Sequence, residues 1–296
     1  MRLRKNEGVR MNKKQLPVSL LTVITALCAS LYAVGCYTTA YIPSPWGFGQ
    51  FRPAVIIPAL FATVFGPMPA AIGAALGTLI ADSVKHGGVY PGSLIAAVPG
   101  NFIGFYLFGY IVKKKFTWGR FILASNVTLT IANLIVAFLY VFAYKVLYME
   151  AFIDVSLEAL MVLSIGLTIF WFVTMLPFVI VVTPFLIRAV ATAFPSIVPE
   201  DVRTHSLQRE LPKTTFSLAM LVPGIIMILM GLATTYTALG SYMSTYWSPK
   251  YFPQIIMDLI QLMFYGSGVA LCILGILTFV GKTLIWQKAS PPEKPK

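Results

Sequence analysis

Residues 157–187 read LEALMVLSIGLTIFWFVTMLPFVIVVTPFLI, with a single charge, Glu158, in 31 positions. About 20 apolar residues suffice to cross the hydrocarbon layer as a helix, where every backbone amide must find its partner inside the segment. No aqueous fold accounts for so long an apolar run. Lipid is therefore the solvent for this part of the chain. The same signature recurs on both sides of it. Before it lie Pro17 to Tyr41, Pro53 to Phe65, Met68 to Val84, Gly92 to Val112 and Phe121 to Leu147; after it lie Thr215 to Gly240 and Ile255 to Ile285. The second and third runs are short and meet at a Gly66-Pro67-Met68-Pro69 turn; the second suits a tilted or partly re-entrant helix. The reading is an all-α integral membrane protein, a six-helix bundle plus two additional C-terminal transmembrane helices.

Composition agrees. Of the 296 residues 58% are hydrophobic and only 11% charged, against about 25% charged in a soluble domain. A net charge of +12 would suggest nucleic acid as a partner of a soluble protein, but placement excludes that reading here. Eighteen of the 22 lysines and arginines fall in residues 1–16, Lys113–Arg120, Arg188–Lys213 and the C-terminal end, whereas the alternate loops hold one each: Arg52, Lys85, Lys145 and Lys250. By the positive-inside rule both termini are cytoplasmic, in a multi-pass protein of the cell membrane. A basic start before an apolar run also fits a signal peptide. The run continues to Tyr41 without a small-residue cleavage site, which predicts a retained first helix.

The chain thus divides into a basic cytoplasmic N-terminus (1–16), a six-helix membrane domain (17–190), a cytoplasmic linker (191–213), a two-helix extension (214–286) and a disordered tail (287–296). Cys28, Cys36 and Cys272 lie in apolar runs without CxxC spacing or neighbouring histidines. They are expected as buried small hydrophobes, with neither a metal site nor a disulfide framework. No cofactor motif is present.

Small residues four apart stack on one helix face and let another helix approach closely. Ala26/Ser30 and Ala29/Ala33 do so in the first run, Gly73/Gly77 in the third and Gly100/Gly104 in the fourth. Each pair serves packing inside the bundle, or else one such face docks a partner membrane subunit.

Polar residues inside apolar runs carry the functional signal. The stretch from Ile42 to Pro53 mixes aromatics and glycines with Gln50 and Arg52, as interfacial anchors or as ligand contacts. Asp82, Lys85, His86 and Tyr90 gather at the end of the third run. An acid there costs several kcal/mol unless paired, and the i, i+4 spacing of Asp82 and His86 predicts a local pair, with a ligand contact as the other reading. Metal is disfavoured because the only other histidine, His205, falls on the opposite side. Asn101, Asn126, Asn133, Tyr140, Tyr144 and Trp171 are polar or ring-bearing positions within spans, with Glu158 near the outer end of the sixth; Asn101 and Asn126 also suit hydrogen-bonded glue between helices. Asn133, Tyr140 and Tyr144, at i, i+7 and i+11, predict a stripe from midplane outward that suits a small-molecule pocket. The candidate substrate-binding set is Gln50, Arg52, Asp82, His86, Tyr90, Asn101, Asn133, Tyr140, Tyr144, Glu158 and Trp171.

The run Ile24–Val34 (ITALCASLYAV), then Gly49-Gln50-Phe51-Arg52-Pro53-Ala54, then Phe65-Gly66-Pro67 followed by Gly73–Gly77, resembles the substrate-binding S components of energy-coupling factor (ECF) transporters. Within that group the Gly-Gln-Phe-Arg-Pro stretch is most similar to the queuosine-precursor (QueT-like) transporters. The similarity covers about residues 17–190. It implies a prokaryotic vitamin-uptake subunit whose pocket opens outward and closes with the loops after helices one and three. It implies docking of helix one, through a partner-docking set of Ala29, Ala33 and their neighbours Ala26 and Ser30, on a membrane coupling (T) subunit, with two cytoplasmic ATPases driving uptake. The chain departs from that group at Val55, where an acid is usual, and in its two further helices.

No HExxH, GxSxG or Walker A sequence is present, so the chain is expected neither to catalyse a reaction nor to use ATP itself. Two rival readings remain open at this point: a ligand-sensing or scaffold membrane protein without transport, and a membrane-embedded enzyme with Asp82, His86 and Glu158 as its acid–base groups.

Overall fold

The computed structural model describes residues 17–42, 44, 47–205, 213–238, 240–241 and 253–289. The basic N-terminal segment 1–16, residues 206–212 of the expected linker and the tail beyond 289 lie outside the described residues. Helices α1 (Val18–Thr38), α2 (Ile56–Phe65), α3 (Pro67–His86), α4 (Val98–Lys113), α5 (Trp118–Phe138), α6 (Leu157–Ala193) and the short α7 (Glu200–Thr204) precede two C-terminal helices, Lys213–Tyr236 and Pro253–Ala289. Seven helical runs are long and apolar enough to cross a membrane. The protein is a multi-pass α-helical membrane protein.

The eighth expected crossing is the exception. Pro53–Phe65, a single 3-10 turn leading into α2, falls short of the length that a span needs. At 1.5 Å per residue it covers about 20 Å, against about 30 Å of hydrocarbon. Proline at Pro53 and Pro58, with the Gly66 break, limits its length. The segment before it dips into the bundle instead, carrying Arg52 down to α3, where it bonds Thr78 and Asp82.

Local chemistry sets the ends of the elements. Thr117 accepts from the Arg120 amide at 3.2 Å and Ser156 from the Ala159 amide at 3.4 Å, capping α5 and α6 as short hydroxyl side chains do. Gly66, at φ +92°, makes the α2–α3 corner. Pro67 behind it lies so near Gly109 of α4 that a Cβ on Gly109 would sit 2.5 Å from its Cα. Two stretches relax from α to π geometry: Ser93–Ala97, entering α4, and Leu139–Tyr148, continuing α5. They pack against each other. Such wider turns are rare and concentrate at functional sites.

The small-residue faces are filled from within. Gly73 and Gly77 of α3 press on Cys28, the Ala29 carbonyl and Tyr32 of α1, with a Cβ on Gly77 only 2.7 Å from that carbonyl. Ala29 and Ala33 are accordingly buried. Within the monomer, then, Ala29 and Ala33 of the expected docking set are covered. Ala26 and Ser30, the other half of the docking set, remain exposed beside Leu27 and Leu31. Gly100 and Gly104 of α4 receive Ala132, Val136 and Thr128 of α5 in the same way.

The expected linker is partly a docked cap. α6 runs on to Ala193, and beyond it Val198 and Val202 are buried in the core. The Asp201 carboxylate accepts from the Phe116 amide at 3.1 Å, and the Arg188 guanidinium lies 5.4 Å from the Trp118 ring centre. The two C-terminal helices pack chiefly on each other and more lightly on α5 and α6. Their seam is glycine on glycine: a Cβ on Gly268 would meet the Gly224 carbonyl at 2.8 Å. The second of them extends to Ala289, so residues 287–289, expected in the tail, are helical.

Candidate functional site

At the end of the bundle formed by the α3 C-terminus and the two π-helical stretches lies a cavity of about 180 Å³. Nine of the eleven predicted substrate-binding residues line it: Gln50, Arg52, Asp82, His86, Tyr90, Asn101, Asn133, Tyr140 and Trp171. They come from the loop before α2, α3, the turn after it, α4, α5 and its π extension, and α6. Six stretches of sequence thus converge on one void.

Its charged centre is an ion pair. Arg52 Nη2 stands 2.5 Å from Asp82 Oδ1, with the two side chains 11% and 5% exposed. Ser93 donates to the other Asp82 oxygen, and Arg52 also donates to Thr78 and, at 3.5 Å, to Gln50 Oε1. Taking two charges out of water is costly unless the remaining donors and acceptors are met. Here hydroxyls from α3 and the first π turn meet them. The expected Asp82–His86 side-chain pair does not form. His86 Nδ1 lies 2.7 Å from the Asp82 carbonyl instead, the position one helical turn back, and the Asp82 carboxylate turns inward to the stronger cation.

Rings and amides form the rest of the wall. His86 stacks on Tyr90 with centroids 3.9 Å apart and planes 4° from parallel. The Tyr90 amide donates to Ser83 Oγ at 3.2 Å, and burial, with Tyr140 beside it, pushes the Tyr90 phenol well above its ordinary range, so it stays a neutral donor. Trp171 Nε1 donates to the Gln50 carbonyl at 3.0 Å. Gly49, at φ +75°, lies on that indole so closely that a Cβ would be 2.6 Å from the ring. The Asn133 amide finds only the Met175 thioether, at 3.8 Å, and Asn101 has no side-chain hydrogen bond among the described residues. Two carboxamides therefore face the void with their bonding capacity largely unspent, an unfavourable state unless water or a ligand completes it.

Two predicted residues stand apart. Tyr144 is buried behind the wall, edge-on to Tyr90 at 5.6 Å and against Tyr140 at 5.5 Å. Glu158 is exposed on the first turn of α6. This corrects its assignment to the pocket: thirteen residues before Trp171, it is about 20 Å away along the helix and about 140° around it. Tyr32, Lys85, Ser93 and Met175 also line the cavity without having been included in the predicted set. Asn126 bonds back to the Ile122 carbonyl of its own helix at 2.9 Å. Among the described residues no three histidine, cysteine, aspartate or glutamate side chains gather as metal ligands, and Cys28, Cys36 and Cys272 are free thiols.

No family model, curated protein or solved structure matches the chain. What the site can do follows from its own chemistry. An engineered cavity of about 150 Å³ accepts benzene, so the volume here suits a molecule of one or two rings. Ring faces, two free carboxamides and a self-neutralised ion pair favour a flat, polar, uncharged or weakly charged occupant.

Proposed function

We propose that this protein is the solute-binding membrane subunit of an ECF-type importer, specific for a small vitamin-like or nucleobase-like micronutrient. The single observation that supports binding is the convergence of Asn101, Asn133, Trp171 and the Arg52–Asp82 pair on one cavity in a bundle whose core is mostly apolar. Ionisable groups at such depth are expensive and rarely kept without a use. The cavity opens at the end of the bundle opposite the Lys113–Arg120 and Arg188 clusters. The Arg52 segment and Pro53–Phe65 together return the chain to the Lys113 end, where Pro67 meets Gly109, so the positive-inside rule puts the cavity on the outer face with both termini in the cytoplasm, as uptake requires.

Without a nucleotide motif of its own, the subunit depends on a membrane coupling partner and two ATPases. Since Ala29 and Ala33 are buried within the monomer, the exposed Ala26 and Ser30 are the α1 residues of that face left to meet such a partner. The test is co-purification from native membranes. A coupling protein and ATPases should accompany the wild-type chain and be lost from Ser30→Leu. Recovery of the wild-type chain alone, with solute still bound, would favour a ligand sensor without transport.

A further inference from the structure

Lys145 is a half-buried ammonium in the π-helical stretch Leu139–Tyr148 whose surroundings are rings. Its Nζ lies 5.4 Å from the Tyr144 centroid, 5.7 Å from those of Tyr140 and Phe48, and 5.9 Å from that of Phe152. Its one hydrogen-bonding contact among the described residues is the Met149 sulfur, at 3.7 Å, and no carboxylate pairs with it. Ring faces are therefore what holds the charge in place. Two of those rings belong to its own helical stretch, one follows it, and the fourth, Phe48, belongs to the segment that roofs the cavity.

That roof, Gly47–Arg52, is gripped from two sides. On one, Trp171 holds the Gln50 carbonyl and carries Gly49 on its indole. On the other, Phe48 sits under Lys145 and edge-on to Phe152 at 5.4 Å. We propose that Lys145 is a positioning residue whose cation–π contact with Phe48 keeps Gly47–Arg52 closed over the cavity, so that its charge sets how often the cavity opens. The functional weight of this clasp rests on the solute-binding reading above, but the clasp itself is measurable without any solute.

The probe is 2-aminoethyl methanethiosulfonate acting on Val136→Cys, a position on the cavity wall, with Ala97→Cys as a second reporter. Rates are read by mass spectrometry above the background of the three native cysteines. A cation–π contact that is partly desolvated is worth enough to change an opening equilibrium about tenfold. Lys145→Met, which keeps the packed stem but not the charge, should raise the labelling rate about tenfold at both reporters. Lys145→Arg should leave it within about twofold. Phe48→Leu should raise the rate by itself and remove any further effect of Lys145→Met. Equal rates in wild type and Lys145→Met would overturn the proposal, and so would Lys145→Arg labelling as fast as Lys145→Met. Wild-type labelling as rapid as at the exposed Val89→Cys would show that the roof does not close at all. A protein that labels as expected yet binds no solute keeps the clasp and loses the solute-binding reading.

Discussion

The cavity-bearing part of the chain and its C-terminal helical pair are built from the same apolar residues, yet they use glycine and polar groups in opposite ways. In the pair, Gly224 faces Gly268, and Ser217 Oγ donates to the Gly275 carbonyl at 2.8 Å; small and polar groups close the seam, and among the described residues of the pair no buried side-chain polar atom lacks a partner. Around the cavity, Gly49 brings the backbone onto Trp171 while Asn101 and Asn133 keep unspent bonding capacity pointed at a void. A polar group satisfied by a neighbouring helix is glue. One left facing a cavity in a membrane bundle marks a place for something else. Lipid supplies no hydrophobic drive between helices, so close packing suffices for the pair; only the other region carries the expense of buried charge.

The comparison is most sharply broken at the ion pair. Asp82→Ala strands Arg52 and should cost about 3–5 kcal/mol of stability, read as a large drop in the unfolding temperature in detergent. Arg52→Met combined with Asp82→Leu should restore most of that stability while leaving solute binding abolished. If the double variant binds normally, the pair is merely structural. Next in size is Asn133→Ala, which removes a carboxamide that contributes little to packing. Affinity for the solute should fall about tenfold, the equivalent of about 1.4 kcal/mol, with the unfolding temperature nearly unchanged. Trp171→Phe keeps the ring but not the bond to Gln50, and affinity should fall several-fold in titration calorimetry. The smallest effect is expected in the other region. Gly268→Val drives a methyl-bearing carbon against the Gly224 carbonyl and should loosen the C-terminal pair, yet change solute affinity by less than about twofold. A loss comparable to that of Asn133→Ala would make the pair part of the site.

The spans were legible because lipid imposes a simple length and composition rule, and only Pro53–Phe65 failed it, where prolines and a buried arginine replace the missing turns. The lining residues were legible for a related reason: an asparagine or aspartate inside an apolar run has few explanations. Their partners were harder to read. Arg52 and Asp82 are 30 residues apart, so helical spacing pointed to His86 instead, although two opposite charges in one apolar domain already invited pairing. The small residues of α1 and α3 were legible as faces, but not that Gly73 and Gly77 press on Cys28, the Ala29 carbonyl and Tyr32. The π-helical stretches, the dipping segment that carries Arg52, and the docking of Val198 and Val202 depend on long-range packing that no local pattern announces.

The account stands on the cavity being a place for one small molecule. Native mass spectrometry of the protein released gently from its own membranes measures this most directly. A single adduct of one- or two-ring mass should appear on the wild-type chain and on Gly268→Val, and disappear from Asn133→Ala combined with Trp171→Phe. An adduct equally abundant in all three, or none on any of them after enrichment in solute-replete membranes, would contradict it.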